Sequence, residues 1–187
     1  KAGKRTATHA QGVAGIKAAV RAGIHSVEHG IFLDDEACEM MVNKGVYLVP
    51  TLAAPYWIVE KGTDFGIPQE AVEKSKRCLE YHTNSFRLAM KYQVKIAMGT
   101  DAGTPFNKHG DNAFELELMV RAGMSAGDAI SSATIQAARL LGIGQETGEL
   151  SAGKAADIIM VKGNPLDDIS LLRTDVVKVF KRGMLVG

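Results

Sequence analysis

TATHAQGVAGIKAAVRAGIHSVEHG, residues 6–30, reads as a strand, a helix and a second strand. Thr6-Ala7-Thr8 runs into His9, and Ser26-Val27-Glu28 runs into His29. Between them Val13, Ile16 and Val20 recur at helical spacing until Gly23 ends the pattern. Such a unit belongs to a parallel sheet whose crossover helices wind right-handed. Further along, Ile96-Ala97-Met98-Gly99-Thr100 runs into Asp101 in the same way. Sites in parallel α/β folds are built at the carboxyl ends of strands, where the loops converge on one face. Two imidazoles and a carboxylate delivered to one rim suit a zinc-type site.

The alternation extends to about residue 141. Strands are expected at 5–9, 24–29, 46–51 and 94–100. Asp34 is placed to cap a helix that has Asp35 and Glu36 in its first turn and Gly45 at its end. Val72, Leu79, Phe86 and Met90 predict a long helix near 69–92. Ser125 with Asp128 reads as a capping box ahead of Ala129, Ile130, Ala133, Ala137 and Leu140. Past Gly142 the pattern changes. Gly144, Gly148 and Gly153 punctuate a turn-rich stretch, 156–161 reads as a buried strand, and Val176–Phe180 with Met184–Val186 reads as a hairpin about Arg182-Gly183. The expected division is therefore an α/β part, 1–141, followed by a small β segment, 142–187.

The 187 residues suffice for one substantial core, and fall short of the roughly 250 that a closed (β/α)₈ barrel usually takes. A hydrophobic fraction of 46% and a formal net charge of +1 leave no electrostatic footprint for nucleic acid and no polybasic membrane stretch. No apolar run approaches the roughly 18 residues of a spanning helix. Cys38 and Cys78 lie in separate helical patterns and form no CxxC pair, so a reduced, buried role is expected. The chain starts at Lys1 without an initiator Met and enters a strand almost at once, as a piece of a longer protein would. The compartment stays open, with the cytoplasm favoured.

Five segments in order, THAQG (8–12), SVEHG (26–30), VPTL (49–52), GTDAG (99–103) and TGELSAGKAADII (147–159), resemble the metal-dependent amidohydrolase superfamily. The likeness leans to its branch of prolidase-like peptidases, Xaa-Arg or Xaa-Lys carboxypeptidases and imidazolonepropionases. It implies the second half, strands five to eight, of a (β/α)₈ TIM-type barrel, followed by part of a β-sandwich. It implies His9 and His29 as ligands of one divalent metal, usually zinc. Asp101 would bind the other ion where two are present, and would handle the proton of the attacking water. The family's His-x-His pair and its strand-four lysine have no match here, so the site is expected to need an N-terminal half-barrel and to be inactive without it. His109, in the loop Thr104–Asn112, is a candidate for touching substrate.

The function expected from this resemblance is hydrolysis of an amide bond in a dipeptide, an N-acyl amino acid or a cyclic amide. The chemical alternative is metal-aided deamination or imidazolonepropionase-type ring opening. An alternative of another class is a non-catalytic half-barrel that acts by association, as its open sheet edges would favour, with itself or with another half. His25 and His82 are expected to carry no function. Tyr56 and Trp57 divide evenly between packing and specificity, and Lys154 and Asp157 read as structural.

Overall fold

Four short strands, β1 (Ala7–Ala10), β2 (Ser26–His29), β3 (Tyr47–Val49) and β4 (Lys95–Ile96), lie side by side in chain order in a computed structural model that describes residues 3–187. All three pairings are parallel, with His9 opposite Glu28 and Ala10 opposite His29. Each strand is shorter than the run that predicts it: β1 and β2 begin two residues late, whereas in β3 and β4 the last residues of the run turn away to form the rim.

The crossovers are helices α1 (Val13–Ala22), α2 (Asp35–Lys44), α3 (Ala53–Lys61) and α4 (Gln69–Lys91), with a 3₁₀ turn at Thr63–Phe65. The Asp34 side chain accepts the Ala37 N–H at 2.8 Å, and Gly45 closes α2 in the left-handed conformation, as the sequence predicts. The outer face of the sheet packs on Ile16, Val20, Met41 and Phe86, all fully buried. The inner face carries Tyr47, Val49 and Ala97, which meet Ala137 and Leu140. β3 is buried along its whole length, with both faces covered, and reads as a continuous apolar run, whereas β1 is largely exposed.

Two helices escape a reading of periodicity. In α5 (Ala113–Arg121), Phe114, Leu116 and Leu118 alternate with Glu115 and Glu117, a strand-like pattern, yet both acids are buried in a helix. In α3, Pro55 interrupts the pattern, and the N-cap Leu52 has no side chain able to cap. The helix expected after Ser125 is divided. It runs as α6 (Ala126–Ser131), a π turn (Ser132–Gln136) and α7 (Ala137–Leu141). The π turn places the Ser132 carbonyl where it accepts the Met98 N–H at 3.0 Å, which joins this helix to the end of β4. At the capping box the Ser125 hydroxyl accepts from Asp128 N and donates to the Asp128 carboxylate, in place of the reciprocal backbone bond.

After Gly142, strands β5 (Ile158–Val161), β6 (Val176–Lys181) and β7 (Met184–Leu185) form an antiparallel sheet, with the short helix α8 (Leu171–Thr174) between β5 and β6. The hairpin falls where expected. The buried strand does not: Ile159 and Met160 are 49% and 48% exposed. Neighbours on a strand face opposite ways, so neither face of this sheet is fully covered by the described residues. Arg173 of α8 anchors the segment to the barrel side, with a two-pronged bond to Asp111 at 2.5 and 2.8 Å and its guanidinium over Phe114.

Candidate active site

At the carboxyl ends of β1 and β2 the rings of His9 and His29 come together. His9 Nδ1 and His29 Nε2 face each other at 2.7 Å, and the rings stack with centroids 5.0 Å apart. The other nitrogen of His29, Nδ1, lies 2.7 Å from the hydroxyl of buried Thr51, at the end of β3. Donation from Nδ1 to Thr51 leaves Nε2 with its lone pair toward His9, the tautomer a metal ligand needs. Burial is the main influence holding the His29 imidazole below its usual pKa; the His9 ring acts in the same direction and the Asp101 charge opposes it.

The rim is built on unusual backbone. His29, Thr51 and Asp101, one at each of three strand ends, have φ of 71°, 55° and 54°. Left-handed backbone is costly for a β-branched residue such as Thr, and where it persists the surroundings must over-determine it. Space is tight as well. A Cβ on Gly99 would lie 2.5 Å from Val49 Cγ1, so only glycine lets β4 close against β3 at this level.

Helix α4 clamps the loop that follows His29. His82, buried, donates from Nε2 to the His29 carbonyl at 2.9 Å. One turn on, the Ser85 hydroxyl donates to the Ile31 carbonyl at 2.6 Å and accepts the Leu33 N–H at 3.0 Å. His82 thus supports a candidate ligand, a role its place in a long helix does not reveal. Burial pushes its pKa down to about 4, so the ring is neutral at pH 7. Ser85→Ala leaves two backbone groups of the loop unpaired and is expected to cost about 1–3 kcal/mol, read as a shift in the urea midpoint.

Asp101 opens a tight loop that its own backbone helps close. Its carbonyl accepts from the Thr104 hydroxyl at 3.0 Å. Buried Asn107 donates to the Thr100 carbonyl at 2.6 Å, and its own carbonyl accepts the Gly103 N–H at 2.8 Å. Asn107 is the organiser that sequence reading missed, because its partners are mostly backbone atoms, with the Thr104 hydroxyl beside them at 3.3 Å. His109 folds back beside Gly103: a Cβ there would lie 3.4 Å from its Nε2. Tyr56 and Trp57 pack edge-on with each other and both meet Phe114, a packing role for each. Lys154 binds the Gly144 carbonyl and Glu149, and Asp157 binds Lys181 and the Arg182 N–H, so both are structural as expected. His25 accepts the Thr6 N–H at 3.1 Å and fastens β1 to β2 at the opposite end from the rim.

Below the rim, on the inner face, the Ser26 hydroxyl donates to Glu28 at 2.6 Å. Burial is the main cause that raises the Glu28 carboxyl, and the nearby Asp101 charge adds to it. Ser26, Glu28, Val49, Ala97, Ala137 and Leu140 line a cavity of about 320 Å³. The structure therefore brings His9 and His29 into contact, and sets Asp101 near enough for its charge to act on His29 and Glu28. Among the described residues no three His, Cys, Asp or Glu side chains converge at ligating distance.

Two imidazole nitrogens at adjacent strand ends, one fixed by a hydroxyl behind it, are donors of the right chemistry for a divalent transition metal. At 2.7 Å they lie at hydrogen-bond distance from each other, so they form a partial donor set whose rings would part to take such an ion.

A second acid lies deeper. Glu115 of α5 is fully buried, and its two oxygens accept the Leu52 and Ala53 N–H groups, each at 2.7 Å. It supplies from another helix the cap that α3 lacks locally. Burial drives its pKa up to about 8, against the opposing pull of the two amides.

The chain is 35% identical to ochratoxinase of Aspergillus niger over 184 residues, which is 95% of this chain and 37% of the relative. A crystal structure of a Xaa-Pro dipeptidase with methionine bound in its active site superposes with a TM-score of 0.89 at 43% identity, over 97% of this chain and 44% of that one. A prolidase-like structure from Bifidobacterium longum gives a TM-score of 0.91 at 33% identity, over 98% of this chain and 47% of that one. The chain thus spans less than half the length of these proteins, and its parallel sheet with helices is part of their TIM-type barrel. Residues 1–186 match the Amidohydrolase family over essentially the whole chain, and with this rim of strand-end histidines the chain belongs to that family.

Proposed function

We propose that this chain supplies His9, His29 and Asp101 to the site of a metal-dependent hydrolase acting on the amide bond of a dipeptide or an N-acyl amino acid. The observation that carries the reading is the meeting of His9 Nδ1 and His29 Nε2 at 2.7 Å at the carboxyl ends of parallel strands. Similarity to a dipeptidase and to ochratoxinase supports the hydrolase class. In this reading 1–141 forms half of the barrel, 142–187 belongs to a β-sandwich, and a further half-barrel, from the same protein or another copy, completes the site along the open edge of β1.

A divalent ion, zinc by its ligand chemistry, supplies Lewis acidity and makes water nucleophilic near neutral pH. The residues of this chain contribute binding, orientation and proton transfer. His9 and His29 would hold the ion through ring nitrogens, and Thr51 keeps the His29 ring from turning. The Asp101 carboxylate takes the proton released as water adds to the amide carbon, and returns it to the nitrogen as the C–N bond breaks. His109, on the same loop, faces the substrate.

The test is zinc content per chain after purification without added metal, beside the His9→Ala, His29→Ala double variant. Zinc near one or two equivalents, lost in the double variant, is the expected result. The same content in both proteins, or none in a whole protein that includes the other half-barrel, would overturn the assignment.

A further inference from the structure

Glu115 touches none of the three rim residues, yet it grips the backbone on which one of their supports stands. Leu52 and Ala53, whose amides it holds, directly follow Thr51. Thr51 has φ of 55°, and its hydroxyl meets His29 Nδ1 at 2.7 Å. Nothing local could hold this corner. Leu52 has no capping side chain, and the first amides of α3 would otherwise be buried without acceptors. The acceptor comes instead from 63 residues away. A carboxyl group that accepts through both oxygens from consecutive amides fixes the direction of that peptide as well as its position. The Thr51 hydroxyl is thereby fixed, and with it the face and tautomer that His29 offers.

We propose that Glu115 is a positioning residue: by fixing the 51–53 backbone through the Leu52 and Ala53 amides, it holds the Thr51 hydroxyl that sets the His29 tautomer and ring orientation. The proposal rests on the reading of His29 as a ligand only for its functional consequence; the effect on the ring is a property of the metal-free chain. Glu115→Gln replaces one acceptor oxygen by an NH₂ group facing a backbone N–H, which breaks one of the two bonds and keeps the volume. Thr51→Val removes the last link in the relay.

The experiment is ¹⁵N NMR of the imidazole rings in the metal-free chain, with zinc titration as a second readout. The wild type is expected to show His29 protonated on Nδ1. Glu115→Gln and Thr51→Val should each change the tautomer ratio at least threefold, with no further change in the double variant. Zinc affinity should fall about 10–100-fold in each. Val20→Ala, a core change near the end of α1 opposite the rim, controls for simple loss of stability and should leave the ratio alone. Should Glu115→Gln fail to fold, Glu115→Asp, which keeps both oxygens one methylene short, is expected to give an intermediate shift. A wild-type tautomer in a folded Glu115 variant would overturn the proposal and leave Glu115 a helix cap. Absence of zinc binding by the wild type would overturn only the ligand reading, since the tautomer measurement stands without it.

Discussion

Raising the pH from 4.5 to 8 is expected to remove about 4 kcal/mol of folding stability through Glu115 alone. Its carboxyl ionises near 4.5 once the chain unfolds, whereas burial holds it up to about 8 in the folded state. Below pH 4.5 both states keep the proton, and the group does not discriminate between them. Between the two values the unfolded chain releases its proton while the folded chain keeps it, so stability falls by about 1.4 kcal/mol per pH unit. Above 8 the loss is complete and the profile levels. Urea midpoints of the wild type and Glu115→Gln at intervals across this window give the difference curve, in which contributions common to both proteins cancel. Glu115→Gln, with nothing to ionise, should be less stable at acid pH and lose less as the pH rises. A flat difference curve would mean that the two amides at 2.7 Å keep the carboxylate charged throughout.

Asp101→Asn is expected to lower kcat/KM for amide hydrolysis by roughly 10²–10⁴-fold in the whole protein, with metal content retained to within the occupancy of one ion. The amide keeps nearly the shape of the carboxylate and can still accept a hydrogen bond, but it cannot take a proton from water. The surrounding loop should survive the change, because it is held by the Asp101 carbonyl, the Thr104 hydroxyl and the Asn107 amide rather than by the Asp101 side chain. The circular dichroism spectrum and melting temperature are therefore expected to stay close to wild type. Activity near the wild-type level would remove Asp101 from the proton path and direct attention to Glu28, the other acid near the histidine pair.

What could be read from the sequence is what is local. The strand end at His29, the Asp34 cap, the Gly45 stop and the hairpin about Arg182-Gly183 each rest on a few adjacent residues and are found where expected, and β1 ends at Ala10, one residue past His9. The resemblance supplied the order of the barrel strands. What stayed hidden is long-range and polar. His82 and Ser85 look like ordinary polar members of an amphipathic helix until the loop at 29–33 is laid against them. Glu115 sits in an alternating pattern that mimics a strand, and its purpose depends on amides brought near only by the fold. The π turn at Ser132–Gln136 has no compositional mark, and its bond to the Met98 N–H joins residues far apart in the chain.

The chain-order sheet has a consequence for assembly. No strand has to be threaded between two that are already paired, so the sheet can grow by addition at one side. Paired residues are 19 apart across β1 and β2 (Ala7 to Ser26), 21 across β2 and β3 (Ser26 to Tyr47) and 48 across β3 and β4 (Tyr47 to Lys95). Closing the last of these loops costs about 0.8 kcal/mol more than closing the first, from the logarithm of the ratio 48 to 19. The strand that closes last on this scale is the one that carries Asp101. The histidine pair can therefore meet before the acid arrives, and the rim is completed by its most distant member.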